Sequence, residues 1–219
     1  MAAREITIHQ LSKSYQTFKG TKQVLRNINL TLPANVSLGI LGRNGAGKST
    51  LLRIISGLEL PDAGYVDTQQ LRLSWPIGKG GMKPAITGRD NVTFVCRLHG
   101  LNPREVMDFI EDFTELKEYI DMPVKTYSSG MRARLAFAIS MVVEYDCYLV
   151  DEGFNTGDAN FAQKTQQVFD ARRAHANMIV VSHNPAIVRR FCDKAAILDS
   201  GQLTVYEDIE EALNIYQSL

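Results

Sequence analysis

Apolar and polar residues alternate in short runs along the first part of the chain. Ile6, Ile8 and Leu11 open a predicted strand, and Val24 to Leu32 predicts a second with Ile28, Leu30 and Leu32 on one face. Val36 to Leu41 is a short apolar run that ends in glycine, the pattern of a strand buried on both faces. Lys48 to Ser56 then predicts a helix, with Leu51, Leu52 and Ile55 on one side and Gly57 closing it. Pro61-Asp62-Ala63-Gly64 predicts a turn. The middle of the chain has helical spacing. Thr87-Gly88-Arg89-Asp90 has the form of a capping box before an apolar run. Asn102-Pro103-Arg104-Glu105 is a helix start, followed by Val106, Phe109, Ile110, Phe113, Leu116 and Ile120 at helical spacing, a pattern of core packing. Arg132 to Val143 predicts a further helix.

Short apolar runs then return. Cys147 to Val150 and Met178 to Val181 predict buried strands, and Ala195–Leu198 and Gln202–Tyr206 flank the hairpin signal Asp199-Ser200-Gly201. Asp208 to Leu219 predicts a closing helix. Strands alternating with helices predict an α/β sheet, and the helical middle predicts an inserted subdomain at roughly 85–145.

Length and charge narrow the function. The chain has 219 residues, enough for one large domain with a small insertion. Lys plus Arg number 24 and Asp plus Glu number 24, so no basic excess points to nucleic acid as a partner. The three cysteines, Cys96, Cys147 and Cys192, have no metal-site spacing and are expected to be buried thiols of a reducing compartment. The N-terminus has no signal-peptide pattern, and the longest nearly apolar run, Leu135 to Val143, is far short of the ~20 residues needed to span a bilayer. Any membrane role is therefore expected to come from a partner chain.

The chemistry concentrates in two runs. Gly42-Arg43-Asn44-Gly45-Ala46-Gly47-Lys48-Ser49-Thr50 matches the phosphate-loop pattern G-x-x-x-x-G-K-[ST]. A triphosphate packs several negative charges into a small volume. Backbone N–H groups surround it only where the loop curls without side-chain clashes, hence the glycines. The following helix points its positive end at the same place, Lys48 adds a charge on the β/γ-phosphates, and the Ser49 hydroxyl suits Mg²⁺. The second run, Cys147-Tyr148-Leu149-Val150-Asp151-Glu152, is an apolar strand ending in two acids about 100 residues later. Asp151 is expected to help hold Mg²⁺, and Glu152 to accept the proton of the attacking water, a role worth about 10²–10⁴ in rate.

Other segments separate this chain from the many enzymes that share those two runs. Tyr127-Ser128-Ser129-Gly130-Met131, about 20 residues before Asp151 and leading into a helix, resembles the LSGGQ signature of ABC ATPases. Val180-Val181-Ser182-His183 resembles their switch-histidine strand, Asn155-Thr156-Gly157-Asp158 their D-loop, and Tyr15 their adenine-stacking aromatic. The resemblance covers nearly the whole chain in the right order. It departs in two places. The Q-loop glutamine is not evident, and Lys83 stands nearest its position. In the signature, Tyr127, Ser129 and Met131 replace Leu, Gly and Gln. Those departures, with Thr-Gly-Arg-Asp-Asn-Val at 87–92, look most like the capsular-polysaccharide export ATPases of Gram-negative bacteria. Some O-antigen exporters carry a further C-terminal sugar-binding domain, for which this sequence is expected to have no room.

The resemblance implies an α/β phosphate-loop NTPase core of the ABC ATPase type, with an N-terminal antiparallel β subdomain and an inserted helical signature subdomain. It implies ATP and Mg²⁺ as ligands. It also implies a homodimer in which Ser128, Ser129 and Gly130 of one copy face the phosphate loop of the other, with Asp158 near the interface and His183 at the γ-phosphate. Its partners would be a multi-span membrane permease and, indirectly, periplasmic and outer-membrane export components, with the chain peripheral on the cytoplasmic face of the inner membrane. Trp75, Met82 and Phe94 are expected to be exposed in a docking groove, Phe94 with core packing as the alternative. Other readings are an ABC ATPase for O-antigen, teichoic acid or another lipid-linked glycan, one acting on DNA or ribosomes, or a phosphate-loop kinase or GTPase outside the ABC group.

Overall fold

The computed structural model describes residues 4–77, 81–151 and 159–219, so Glu152 and Asp158 lie outside the described residues. The described chain divides into two compact units. The first contains residues 4–76, 145–151 and 173–219; the second contains residues 77–144 and most of the helix that begins at Ala159.

Two sheets build the first unit. Strands β1 (Glu5–Thr17), β2 (Gly20–Pro33) and β4 (Ala63–Asp67) form an antiparallel sheet in the order β2-β1-β4. A five-stranded sheet follows the order β5-β6-β3-β7-β8, from β3 (Leu38–Leu41), β5 (Cys147–Asp151), β6 (Asn177–Val181), β7 (Lys194–Asp199) and β8 (Gln202–Tyr206). Its first four members are parallel, and β8 turns back on β7 through the hairpin expected at Ser200-Gly201. Parallel strands covered on both faces need apolar residues at every position, and β3, β5 and β6 are buried throughout. One core joins both sheets. Ile6, Ile8, Leu11, Ile28, Leu30 and Leu32 meet Leu38 and Ile40, together with Leu51, Leu52, Ile54 and Ile55 of helix α1 (Lys48–Ile55).

The odd spacing of Ile8 and Leu11 has a local cause. Side chains of a strand change face at each residue, so positions 8 and 11 cannot share a face in a regular strand. Gln10 adopts φ 46°, and the register between β1 and β2 shifts between Ile8 and Leu11. The bulge returns Leu11 to the buried face. Segment 61–64 differs from the expected turn, since β4 already begins at Ala63, which pairs with Ser12 of β1. Helix α6 (Pro185–Phe191) was not anticipated, although Asn184 caps it by accepting the Ala186 N–H at 2.9 Å and Pro185 opens it.

The second unit is helical: α2 (Gly88–Leu98), α3 (Pro103–Thr114), α4 (Ser129–Val142) and α5 (Ala159–Arg173). Thr87 caps α2 by accepting the Asp90 N–H at 3.0 Å, and Asn102 caps α3 by accepting the Arg104 N–H at 3.1 Å. The α3 pattern does not continue to Ile120 as one helix. Glu115, at φ 54°, ends it, and residues 117–121 form a tighter 3-10 turn that still buries Leu116 and Ile120. Helix α4 starts three residues before the predicted Arg132, at the signature itself. Its run Leu135–Met141 is buried all round, as a central helix requires. Phe113 of α3 stacks on Phe137 of α4 at 5.3 Å, and Phe161 and Phe169 of α5 meet Phe137 edge to face.

Candidate functional site

The phosphate loop leaves the C-terminal end of β3, the central strand of the parallel sheet, and enters α1. Ligand sites in such sheets form at this edge. Two glycines have separate steric reasons. Gly47 is the α1 N-cap at φ 108°, and a Cβ there would also lie 2.6 Å from Val24. A Cβ on Gly42 would come within 2.5 Å of the Leu198 carbonyl oxygen. Arg43, Asn44 and Gly45 form the exposed crest of the loop, and Ala46 turns back beneath it, donating its N–H to the Arg43 carbonyl at 3.1 Å.

Lys48 is only 6% exposed, and its ammonium donates to the carbonyls of Gly42 at 2.7 Å and Arg43 at 3.1 Å. Those bonds hold the charge under the loop, where it faces whatever the loop encloses. Ser49 donates its hydroxyl to Asp151 at 3.2 Å, and Asp151 closes β5 at 5% exposure. Thr50, the third residue of α1, meets the Tyr15 hydroxyl at 3.2 Å. Tyr15, Val24, Asn44, Gly45, Gly47, Lys48, Ser49 and Thr50 line one cavity of about 520 Å³. This places Tyr15, 35 positions upstream of Thr50, at the mouth of the same loop.

His183 follows β6, which pairs in parallel with β3 so that Val181 lies opposite Ile40. The histidine is therefore carried to the same sheet edge, and it is exposed. Ser182 is buried and accepts the Asn184 N–H at 3.0 Å, which fixes the turn out of β6.

In the second unit, Ser128 is the N-cap of α4 and accepts the Met131 N–H at 3.2 Å. Ser128 and Ser129 are exposed, and a Cβ on Gly130 would meet only Ser128 Oγ, at 3.9 Å. This open helix tip carries a hydroxyl and no acid in its first turn, so its N-terminal field suits an anion. Tyr127 beside it points inward: it is 3% exposed and its phenol donates to the Tyr119 carbonyl at 2.5 Å. Gly88 packs against that phenol, a pairing that the sequence alone did not reveal.

A family model described as ABC transporter matches residues 25–155. The chain belongs to the ABC transporter family. The polysialic acid transport ATP-binding protein KpsT of Escherichia coli is 45% identical, over 97% of this chain and 98% of that one. The ATP-binding protein BexA of Haemophilus influenzae is 44% identical, over 96% and 97%. The capsule polysaccharide export ATP-binding protein CtrD of Neisseria meningitidis is 42% identical, over 98% and 99%. Among solved structures, an ATP-binding subunit of an ABC transporter superposes with a TM-score of 0.81 at 19% identity, covering 97% of this chain and 94% of that one. A dimeric ATP-binding cassette in a post-hydrolysis state, bound to ADP and Pi, gives 0.77 at 22%, over 90% and 96%. The fold is thus the ABC ATPase fold expected, with its antiparallel β sheet, phosphate-loop core and helical signature unit.

Two expectations about exposure change within this ABC frame. Trp75 is half-buried, edge to face with Tyr145 at 6.3 Å, and Met82 is also half-buried. Phe94 is 46% exposed, with the Lys83 ammonium 5.1 Å from its ring centre. Lys83, the residue expected nearest the Q-loop position, is held by its backbone. Its N–H donates to the Asn91 carboxamide at 2.7 Å, and its carbonyl accepts from the same group at 3.1 Å. Cys96, Cys147 and Cys192 are free and buried. No helix among the described residues is long and apolar enough to cross a membrane.

Proposed function

We propose that this chain is the ATP-hydrolysing subunit of an ABC exporter that powers transport of a capsular polysaccharide across the inner membrane. The observation that carries this reading is the full-length similarity to the capsule and polysialic acid export proteins, supported by a loop whose Lys48 is bonded to the Gly42 carbonyl and whose Ser49 is bonded to Asp151. Two copies pack so that ATP lies between Lys48 of one and Ser128 and Gly130 of the partner subunit. Asp158 belongs to the contact between copies. The chain is peripheral to the membrane, docked on a multi-span permease at its cytoplasmic face, and coupled through it to periplasmic and outer-membrane components.

The mechanism follows from the residues. Loop amides and Lys48 bind the β/γ-phosphates, and Tyr15 offers its ring to the adenine. Ser49 Oγ and Asp151 Oδ1 are hard oxygens 3.2 Å apart, a donor pair that fits Mg²⁺. When bound, that ion would neutralise charge developing on the phosphates. Glu152 follows Asp151 directly and takes the proton of the attacking water, while His183 contacts the γ-phosphate. Binding closes the dimer, and loss of the γ-phosphate contacts opens it, a population shift driven by contacts present in one state only.

The test is Glu152→Gln. The variant should bind ATP, lose hydrolysis about 100-fold or more, and run as a dimer in size exclusion with Mg²⁺-ATP. Unchanged turnover removes Glu152 from its role, and a persistent monomer removes the shared-nucleotide dimer.

A further inference from the structure

The Tyr15 ring does not hang freely over the phosphate loop. Its hydroxyl is bound by three side chains: it donates to Glu59 at 2.6 Å, receives an N–H from Arg53 at 3.2 Å, and meets Thr50 Oγ1 at 3.2 Å. Those partners are tied to one another. Arg53 Nε donates to Glu59 at 3.0 Å, and Arg53 Nη2 donates to Thr50 at 3.2 Å. Lys13 completes the group. Its ammonium lies 3.5 Å from Glu59 and 3.2 Å from Asp62, and 5.6 Å from the centre of the Tyr15 ring. Lys13 is not among the residues lining the cavity, whereas Tyr15 and Thr50 are.

We infer that Glu59, with Arg53, is a positioning residue that locks the Tyr15 ring onto helix α1 and so fixes the spacing between the base platform and the phosphate loop. The inference rests on the nucleotide reading of the site. Its physical content is geometric. Thr50 and Arg53 stand one turn apart on α1, the helix whose first residues are Lys48 and Ser49. Clamping the phenol to that helix makes the base platform and the phosphate cradle parts of one rigid body. A ring already held in place loses no rotamer freedom when a base lands on it, so affinity for the base is gained by preorganisation. Burial works against the charge on Glu59, yet hydrogen bonds from Tyr15 and Arg53 outweigh it and hold its carboxyl below the ordinary range. The clamp is therefore ionic throughout the neutral range.

The experiment compares binding of Mg²⁺-ATP and of inorganic tripolyphosphate, which has no base, to the full chain. Tyr15→Phe keeps the ring and removes the clamp; Glu59→Leu removes the clamp from the other side. Each should weaken ATP about 3- to 10-fold, the range set by immobilising one side chain. The double variant should be no weaker than either single variant, because both break the same link. Glu59→Gln, which keeps an acceptor oxygen, should stay within about twofold of the parent. Tripolyphosphate affinity should not change in any of them. Multiplying losses in the double variant, or a parallel loss of tripolyphosphate, would show that Glu59 acts on general folding of the loop and overturn the inference. Unchanged ATP affinity in the single variants overturns it too. A parent protein that binds tripolyphosphate and ATP equally well removes the base platform itself, a different failure that takes the nucleotide reading with it.

Discussion

Gly88→Ala tests whether the signature segment is wedged against the start of α2. A Cβ at Gly88 would lie 2.5 Å from the Tyr127 hydroxyl and 3.0 Å from both the carbonyl oxygen and Cδ1 of Ile120. Ordinary contact begins at 3.4 Å, so the phenol would have to retreat by nearly 1 Å. Tyr127 is 3% exposed and its hydroxyl is already engaged at 2.5 Å with the Tyr119 carbonyl, so retreat breaks that bond. Overpacking of this kind costs about 1–3 kcal/mol, and the lost hydrogen bond about 1 kcal/mol more. The expected loss is about 2–4 kcal/mol in urea unfolding followed by circular dichroism. Tyr127→Phe alone should cost about 1 kcal/mol, because it removes the hydroxyl and leaves the Tyr119 carbonyl with the Met122 N–H, at 2.9 Å, as its donor. The two changes should not add. Removing the hydroxyl also removes the atom that the new methyl meets first, so the double variant should recover about 1–2 kcal/mol relative to the sum. Additive losses, or a Gly88→Ala protein within 0.5 kcal/mol of the parent, would refute the wedge.

Three further outcomes follow from the described geometry. Lys48→Ala removes the ammonium that bridges the Gly42 and Arg43 carbonyls; calorimetric titration should find ATP binding lost, and normal affinity contradicts the phosphate-loop assignment. Asp151→Asn keeps the shape of β5 but removes the charge beside Ser49; Mg²⁺-dependent turnover should fall at least about 100-fold, while unaltered turnover would exclude Asp151 from the metal site. Burial pushes the thiols of Cys147 and Cys192 up to about 12. Raised folded values mean the folded chain keeps protons that the unfolded chain releases above about pH 8.5. Stability should therefore be full below that pH and fall toward pH 12, at about 1.4 kcal/mol per pH unit for each thiol. Urea midpoints measured between pH 8 and 11 check this, and replacing both cysteines with alanine should flatten the slope.

Much of the fold could be read from the sequence because burial imposes local patterns. β3, β5 and β6 are apolar at nearly every position, as a strand covered on both faces must be, and Asn102-Pro103 marks a helix start through two independent constraints on the backbone. Patterns failed where the decisive contact lies far along the chain. Trp75 looked like a surface residue because Tyr145, its ring partner, is 70 positions away. The end of α3 was missed because Leu116 and Ile120 keep helical spacing; only the left-handed Glu115 breaks the run, and an ordinary glutamate gives no warning of it. The Tyr15 clamp was invisible for the same reason. Glu59 and Arg53 are remote from position 15 in sequence and carry no motif.

One departure from the ABC signature, Tyr127, is a matter of packing. Of the five residues, Ser128 and Gly130 keep the family identity and sit at the open tip of α4. Ser128 uses an oxygen lone pair to cap the helix through Met131 N–H, which leaves its hydroxyl proton as a separate donor for a phosphate oxygen. Tyr127, standing where the motif has leucine, is turned away from that tip. It fills the space above Gly88, bonds the Tyr119 carbonyl, and offers its own carbonyl to the Arg132 guanidinium. A larger residue there demands a smaller one opposite, and Gly88, the second residue of Thr-Gly-Arg-Asp-Asn-Val, supplies it. The two segments therefore meet in one contact, between Gly88 and the Tyr127 phenol. Replacing Tyr127 with leucine should loosen the hold of α4 on the start of α2 without altering the tip that carries Ser128 and Gly130. Unfolding measurements would register that loosening, and ATP affinity would not.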